Sequence, residues 1–167
     1  MKAFAAIGIL LLVIFGGAFH VSAGEMATPQ EVIEKVKEAR GLLSGGRGDL
    51  EEFKRADGRW VFKDTYVFII DMDSVTVVAH PVNPKQVGKN LIGLKDVKGN
   101  YFFIQFCEKA RTDGGGWVEY WWPKPGEKTP SRKYAYVMPV PGTSLMLGAG
   151  VYDDSVTVDE LNKLVKK

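Results

Sequence analysis

Few residues in this chain carry reactive chemistry, and their spacing limits what that chemistry can be. Beyond residue 23 the chain has one histidine, His80, and one cysteine, Cys107. These two fall short of the His/Cys sets that hold zinc. As a base and nucleophile they would need a third, orienting group, and the pattern puts His80 at a strand end and Cys107 on an apolar helix face. Cys107 reads as a buried apolar-like side chain, the common state of a free thiol. With no second cysteine it forms no internal disulfide. No Gly-x-Ser-x-Gly elbow occurs. Asp71 and Asp73 look like the start of a calcium loop, but the glycine and distal glutamate are missing, so they read as turn residues. Gly114, Gly115 and Gly116 lack the Lys-Ser/Thr of a phosphate loop and read as a helix stop. Nothing here argues for an enzyme, a metal or a cofactor.

Binding is better served than catalysis. A carboxylate taken out of water needs donors, and a cation serves it best. Lys133 lies in a strand-like run beside Tyr134 and Tyr136. From sequence alone, such a lysine is ordinarily solvated. His80, before Pro81, can donate to a ligand oxygen or bond backbone, and the sequence leaves both readings open. Strand alternation puts Val118, Tyr120 and Trp122 on one face, and Tyr66 and Phe68 on one face. For each aromatic, core packing is the default role. Tyr101 opens a Phe-rich helix and is a weaker candidate, and Trp117 reads as packing.

The elements that must position these residues follow from caps, periodicity and turns. Thr28-Pro29-Gln30-Glu31 is a capping box with proline in the first turn. Val32, Ile33, Val36 and Leu43 then share a helical face, and Gly45-Gly46 stops the helix. Asp49 opens a short helix showing Leu50 and Phe53. Residues 60–70 are rich in aromatic and β-branched types and read as one strand. Asp71 to Ser74 turn it back into a second strand over residues 75–80. Residues 81–96 read as a loop with short helical turns. A helix over residues 100–111 gathers Phe102, Phe103, Phe106, Cys107 and Ala110. Three strands follow, over residues 117–122, 132–139 and 144–152. A C-terminal helix starts near Thr157 with Leu161, Leu164 and Val165 inward. Short turns make neighbouring strands antiparallel. The predicted class is α+β: one antiparallel sheet of about five strands, a long N-terminal helix, and helices on one face.

The N-terminus reads as an address. Lys2, an apolar run over residues 3–19 and Val21-Ser22-Ala23 have the order of a secretory signal. The predicted cut follows Ala23, and the alternative is an uncleaved membrane anchor. Cleavage leaves residues 24–167 as one domain in the periplasm or outside the cell. That part carries 21 Lys and Arg against 20 Asp and Glu, a net of +1. Such a balance gives no electrostatic case for nucleic acid or a membrane surface.

Several segments also share an order with known proteins. Asp64-Thr65-Tyr66-Val67-Phe68 leads to Ala79-His80-Pro81, then Gly88-Lys89-Asn90-Leu91 and Leu94-Lys95-Asp96. Gly116-Trp117-Val118-Glu119-Tyr120, Trp122-Pro123, Lys133 with Tyr136-Val137, and Gly148-Ala149-Gly150-Val151-Tyr152 follow. Ala-His-Pro alone is weak, but the ordered set is specific. It resembles the single Cache family of extracytoplasmic sensing domains, the subtype often fused to chemoreceptors and sensor kinases. Ser74 and Val75 depart from it, since the family usually has a glycine in that hairpin turn. The resemblance implies a PAS-like sheet and a pocket, between the sheet and the segments crossing it, for a small organic acid of the acetate, propionate, pyruvate or lactate class. Lys133 matches the family's pocket lysine, and Tyr120 a pocket position. The predicted ligand-binding set is Lys133, His80, Tyr120, Tyr136, Tyr66, Phe68, Tyr101 and Trp122. Family members usually signal through a membrane helix to a cytoplasmic output. The expectation here is a soluble binding module that serves a membrane sensor or transporter. The competing expectation is an interaction domain with a vestigial pocket. A homodimer through the N-terminal helix is compatible with the resemblance, but that helix's Val-Ile face can equally be covered by its own sheet.

Overall fold

The computed structural model describes residues 25–112 and 115–165. The predicted signal and its cut lie outside the described residues, as do Gly114 and the Lys166-Lys167 tail.

Helix α1 (Pro29–Ser44) begins where the capping box places it. The Thr28 hydroxyl accepts from the Glu31 N–H, and the Glu31 carboxylate accepts from the Thr28 N–H. It ends at Gly45, with Gly46 at φ 65°, a conformation glycine reaches without strain. A 3₁₀ turn (Leu50–Lys54), capped by Asp49, buries Phe53 against Trp60.

Residues 60–70 do not form one strand. They fold into a small hairpin, β1 (Val61–Phe62) and β2 (Thr65–Tyr66), before β3 (Phe68–Asp71). The break is the polar pair Lys63-Asp64, where Lys63 takes φ 49°. Both side chains are used: Lys63 pairs with Glu25 and Glu31, and Asp64 accepts from the Ala27 N–H at 2.8 Å. The chain then turns into β4 (Thr76–Ala79). Val75, where relatives were expected to carry glycine, sits at φ 51°. A β-branched residue is strained there. Asp71 bonding to Ser74, the Leu91 N–H donating to the Val75 carbonyl and burial of Val75 itself hold it.

Helix α2 (Phe102–Ala110), strands β5 (Gly116–Pro123), β6 (Pro130–Pro139) and β7 (Leu145–Val151), and helix α3 (Val158–Val165) complete the chain. The five-stranded sheet has the order β4-β3-β7-β6-β5, antiparallel throughout. The helices do not share one face. Helices α1 and α3 pack on one side with Trp60, Trp117, Tyr134 and Tyr136. Helix α2 and the segment that precedes it cover the other, with Phe68, Ile70, Val118, Tyr120 and Val137. The reason is composition: α2 has an apolar face of its own, made of Phe102, Phe103, Phe106, Cys107 and Ala110, and each face of a sheet buried on both sides needs a cover. In α3, Leu161 is buried, but Leu164 is 41% exposed, against the expectation that it faces inward.

Candidate functional site

The site forms on the α2 face of the sheet. Tyr120 on β5 lies directly opposite Lys133 on β6, so both side chains rise from the same face. Lys133 is fully buried, although lysine almost never is. Its stem is accommodated by Gly150 on the adjoining β7. A Cβ there would come within 2.7 Å of Lys133 Cε and 2.6 Å of the Tyr134 carbonyl oxygen. Gly148 likewise leaves room for Phe68, whose ring a Cβ would meet at 2.8 Å.

The ammonium ends between two aromatic rings, 4.4 Å from the centroid of Tyr66 and 4.7 Å from that of Tyr152. Ring faces attract a cation, but Nζ has no hydrogen-bond partner among the described residues. Burial drives the Lys133 pKa down to about 7, and the charge of Asp64 partly opposes this. His80 follows β4, is buried, and contacts the Tyr66 ring at 4.7 Å. Its Nδ1 accepts from the Asn83 N–H at 2.9 Å, which leaves the imidazole proton on Nε2 as a donor. Burial, and then the charge of Lys133, lower the His80 pKa to about 3, so it is neutral at physiological pH. Burial raises the Tyr66, Tyr120 and Tyr152 hydroxyls well above their usual range.

A cavity of about 20 Å³ lies between the sheet and α2, lined by Tyr66, Phe68, Ile70, Val77, His80, Gln86, Phe102, Phe103, Phe106, Tyr120 and Trp122. That volume holds about one water. An open cleft of about 210 Å³ shares Tyr66, His80 and Trp122 with it, and is bounded by Val82, Asn83 and the turn from Pro123 to Glu127. Lys133 does not line the cavity wall; it packs against Tyr66, which does. A short acid that reaches the ammonium must therefore displace an aromatic ring.

Of the eight sequence candidates, the fold places His80, Tyr120, Tyr66, Phe68 and Trp122 on this cavity, and Lys133 behind the Tyr66 ring. Tyr136 is a correction: it is three residues from Lys133, so alternation puts it on the α1 face beside Trp117, at 5.4 Å between ring centroids. Tyr101 is another: it precedes α2, is 44% exposed, and its ring lies under the Lys95 ammonium. Sequence reasoning missed Tyr152 and Gln86. Tyr152 was legible, because Gly148, Gly150 and Tyr152 alternate onto the Lys133 face. Gln86 carried no signal, since it lies in a segment read only as loop.

Comparison with known proteins accords with this fold. The family model of the Cache domain matches residues 56–167. The chain belongs to the Cache domain family. A methyl-accepting chemotaxis protein, McpP of Pseudomonas putida, is 30% identical over 127 residues, covering 76% of this chain but only 23% of that protein. This Cache chain therefore spans about a quarter of that relative's length. Two solved structures fit the same fold. One is a periplasmic sensor domain of a chemotaxis protein, 27% identical with a TM-score of 0.59, over 75% of this chain and 90% of that one. The other is a Cache chemosensory domain described for carboxylic acid recognition, 30% identical with a TM-score of 0.58, over 75% and 88%. A methyl-accepting chemotaxis protein from Vibrio parahaemolyticus, 23% identical with a TM-score of 0.60 over 77% and 90%, shares the fold. Among the described residues, no helix of this Cache domain is long and apolar enough to cross a membrane.

Proposed function

We propose that this Cache domain is an extracytoplasmic sensing module that binds a short monocarboxylate of two to four carbons and presents its ligand state to a membrane sensor or transporter. The observation that carries the reading is Lys133: a fully buried ammonium, caged by Tyr66 and Tyr152, with no hydrogen-bond partner among the described residues. An unpaired buried charge is unfavourable until a counter-ion arrives. A carboxylate supplies it, and the His80 Nε2–H adds a neutral donor nearby. The surrounding walls are apolar and suit a short alkyl tail. The relative described for carboxylic acid recognition and the periplasmic sensor domain support both the ligand class and the compartment. Export by cleavage after Ala23 belongs to the same proposal.

Small ligands gain at most roughly 1.5 kcal/mol per heavy atom. Acetate, with four, then reaches roughly −6 kcal/mol, a Kd of some tens of micromolar. The test is thermal unfolding of the purified protein with acetate, propionate, pyruvate and lactate. Ligand at 100 times its Kd adds about 2.7 kcal/mol of stability, so the melting temperature rises. Lys133→Ala keeps cooperative unfolding and loses the rise. A folded wild-type protein that responds to none of these acids rules the reading out and leaves an interaction domain.

A further inference from the structure

Gln86, a partly buried residue, carries the second enclosed polar atom in this site without a partner among the described residues. Its Oε1 is enclosed and has no hydrogen-bond partner among the described residues, and the residue lines the cavity with His80, Tyr66, Phe102 and Trp122. The backbone around it is fixed. Gln86 ends a 3₁₀ turn (Pro84–Gln86), its N–H donates to the Asn83 carbonyl, and its carbonyl accepts from the Lys89 N–H. The next residues are tied to the sheet edge: the Gly88 N–H donates to the Val77 carbonyl, and the Val77 N–H donates to the Lys89 carbonyl, at 2.8 and 3.1 Å. The backbone that carries Gln86 is therefore held beside the cavity by a short, doubly anchored turn.

Its chemistry differs from that of its neighbours. Lys133 and the His80 Nε2–H are donors, and a carboxylate, which only accepts, answers them. A carbonyl oxygen repels a carboxylate and needs a donor from the ligand. The tails of acetate and propionate have none. A hydroxyl on the carbon next to the carboxylate supplies one. We infer that Gln86 is a specificity-determining residue, whose side-chain carbonyl accepts from the 2-hydroxyl of a short 2-hydroxy monocarboxylate. This rests on the carboxylate reading of the site and narrows it from short acids in general to hydroxy acids. A site built to bond a hydroxyl discriminates against the analogue lacking it, because its polar group is left unpaired.

The test compares three-carbon acids by titration calorimetry on the purified full chain: both enantiomers of lactate, pyruvate and propionate. The expected result is that one lactate enantiomer binds about ten-fold tighter than propionate, with pyruvate, whose keto oxygen only accepts, grouping with propionate. In Gln86→Leu, and in Gln86→Met as a second apolar replacement of similar length, the lactate advantage falls to about one-fold while propionate binding persists. Equal wild-type affinity for lactate and propionate overturns the inference, and so does a lactate advantage that survives both substitutions. Pyruvate binding as tightly as lactate also overturns it, since the amide would then present its NH₂. These results differ from failure of the underlying reading, in which the folded wild-type protein binds none of the acids and both proposals fall.

Discussion

At the scale of the residue, Lys133 combines two properties that ordinarily exclude each other, full burial and a charge. Its ordinary pKa of 10.5 falls to about 7 in the folded protein because burial removes water from the ammonium. Between those values the unfolded chain holds a proton that the empty folded protein has released. Stability of the ligand-free protein therefore rises as pH goes from 7 to 10.5. A bound carboxylate restores the charged form, so binding above pH 7 takes up a proton and weakens as pH rises. Urea unfolding across this range, with and without ligand, should give a rising curve for the empty protein and a flatter one for the saturated protein. Lys133→Met, which replaces the charge with an apolar side chain of similar length, should lose that pH slope and the ligand. It should also be at least as stable as wild type at pH 7, because it removes a buried group that has no hydrogen-bond partner among the described residues. Equal slopes in the two proteins would mean that Lys133 stays charged in the empty fold.

At the scale of the element, strand β7 makes the site through what it lacks. Gly150 needs no unusual backbone angle; it is required because Lys133 and the β6 backbone lie where a side chain would be. In Gly150→Ala the Lys133 stem can shift, but the Tyr134 carbonyl, fixed in the sheet, cannot move cheaply. The expected loss is about 1–3 kcal/mol of stability, with weaker acid binding as Lys133 is displaced, read by denaturant unfolding and calorimetry on one preparation. Unchanged stability would show that β6 and β7 separate more easily than their pairing suggests. The same strand shows how far local pattern reaches. Alternation correctly groups Gly148, Gly150 and Tyr152, yet the reason for the glycines exists only once β6 lies alongside. At Lys63-Asp64 local pattern failed, because a polar pair without glycine gives little warning of a two-residue turn, and the strand read over residues 60–70 is in fact a hairpin followed by β3.

At the scale of the whole molecule, one sheet separates two cores, and only one of them adjoins the site. Ile33 on α1 is buried in the far core. Ile33→Ala should cost about 2–5 kcal/mol of stability while leaving the Kd for short acids within two-fold, as judged at a temperature where the variant remains folded. A large change in Kd would show that the two faces are coupled through the sheet. The Cache relatives make this division useful, since they belong to chemotaxis proteins in which a sensing domain is one part of a longer chain. What the sequence determined by itself is local: the capped ends of α1, the aromatic and β-branched strands, the apolar face of α2, and the α+β class. These follow from interactions among residues within a few positions of one another. Only the tertiary structure decided that α1 and α2 cover opposite faces, that Tyr136 turns away from Lys133's pocket, that Tyr101 is exposed, and that a fully buried Lys133 and the enclosed Gln86 Oε1 both lie near Tyr66. Burial and pairing of this kind depend on strand order and on which segments cover the sheet, and those are set by contacts between residues tens of positions apart.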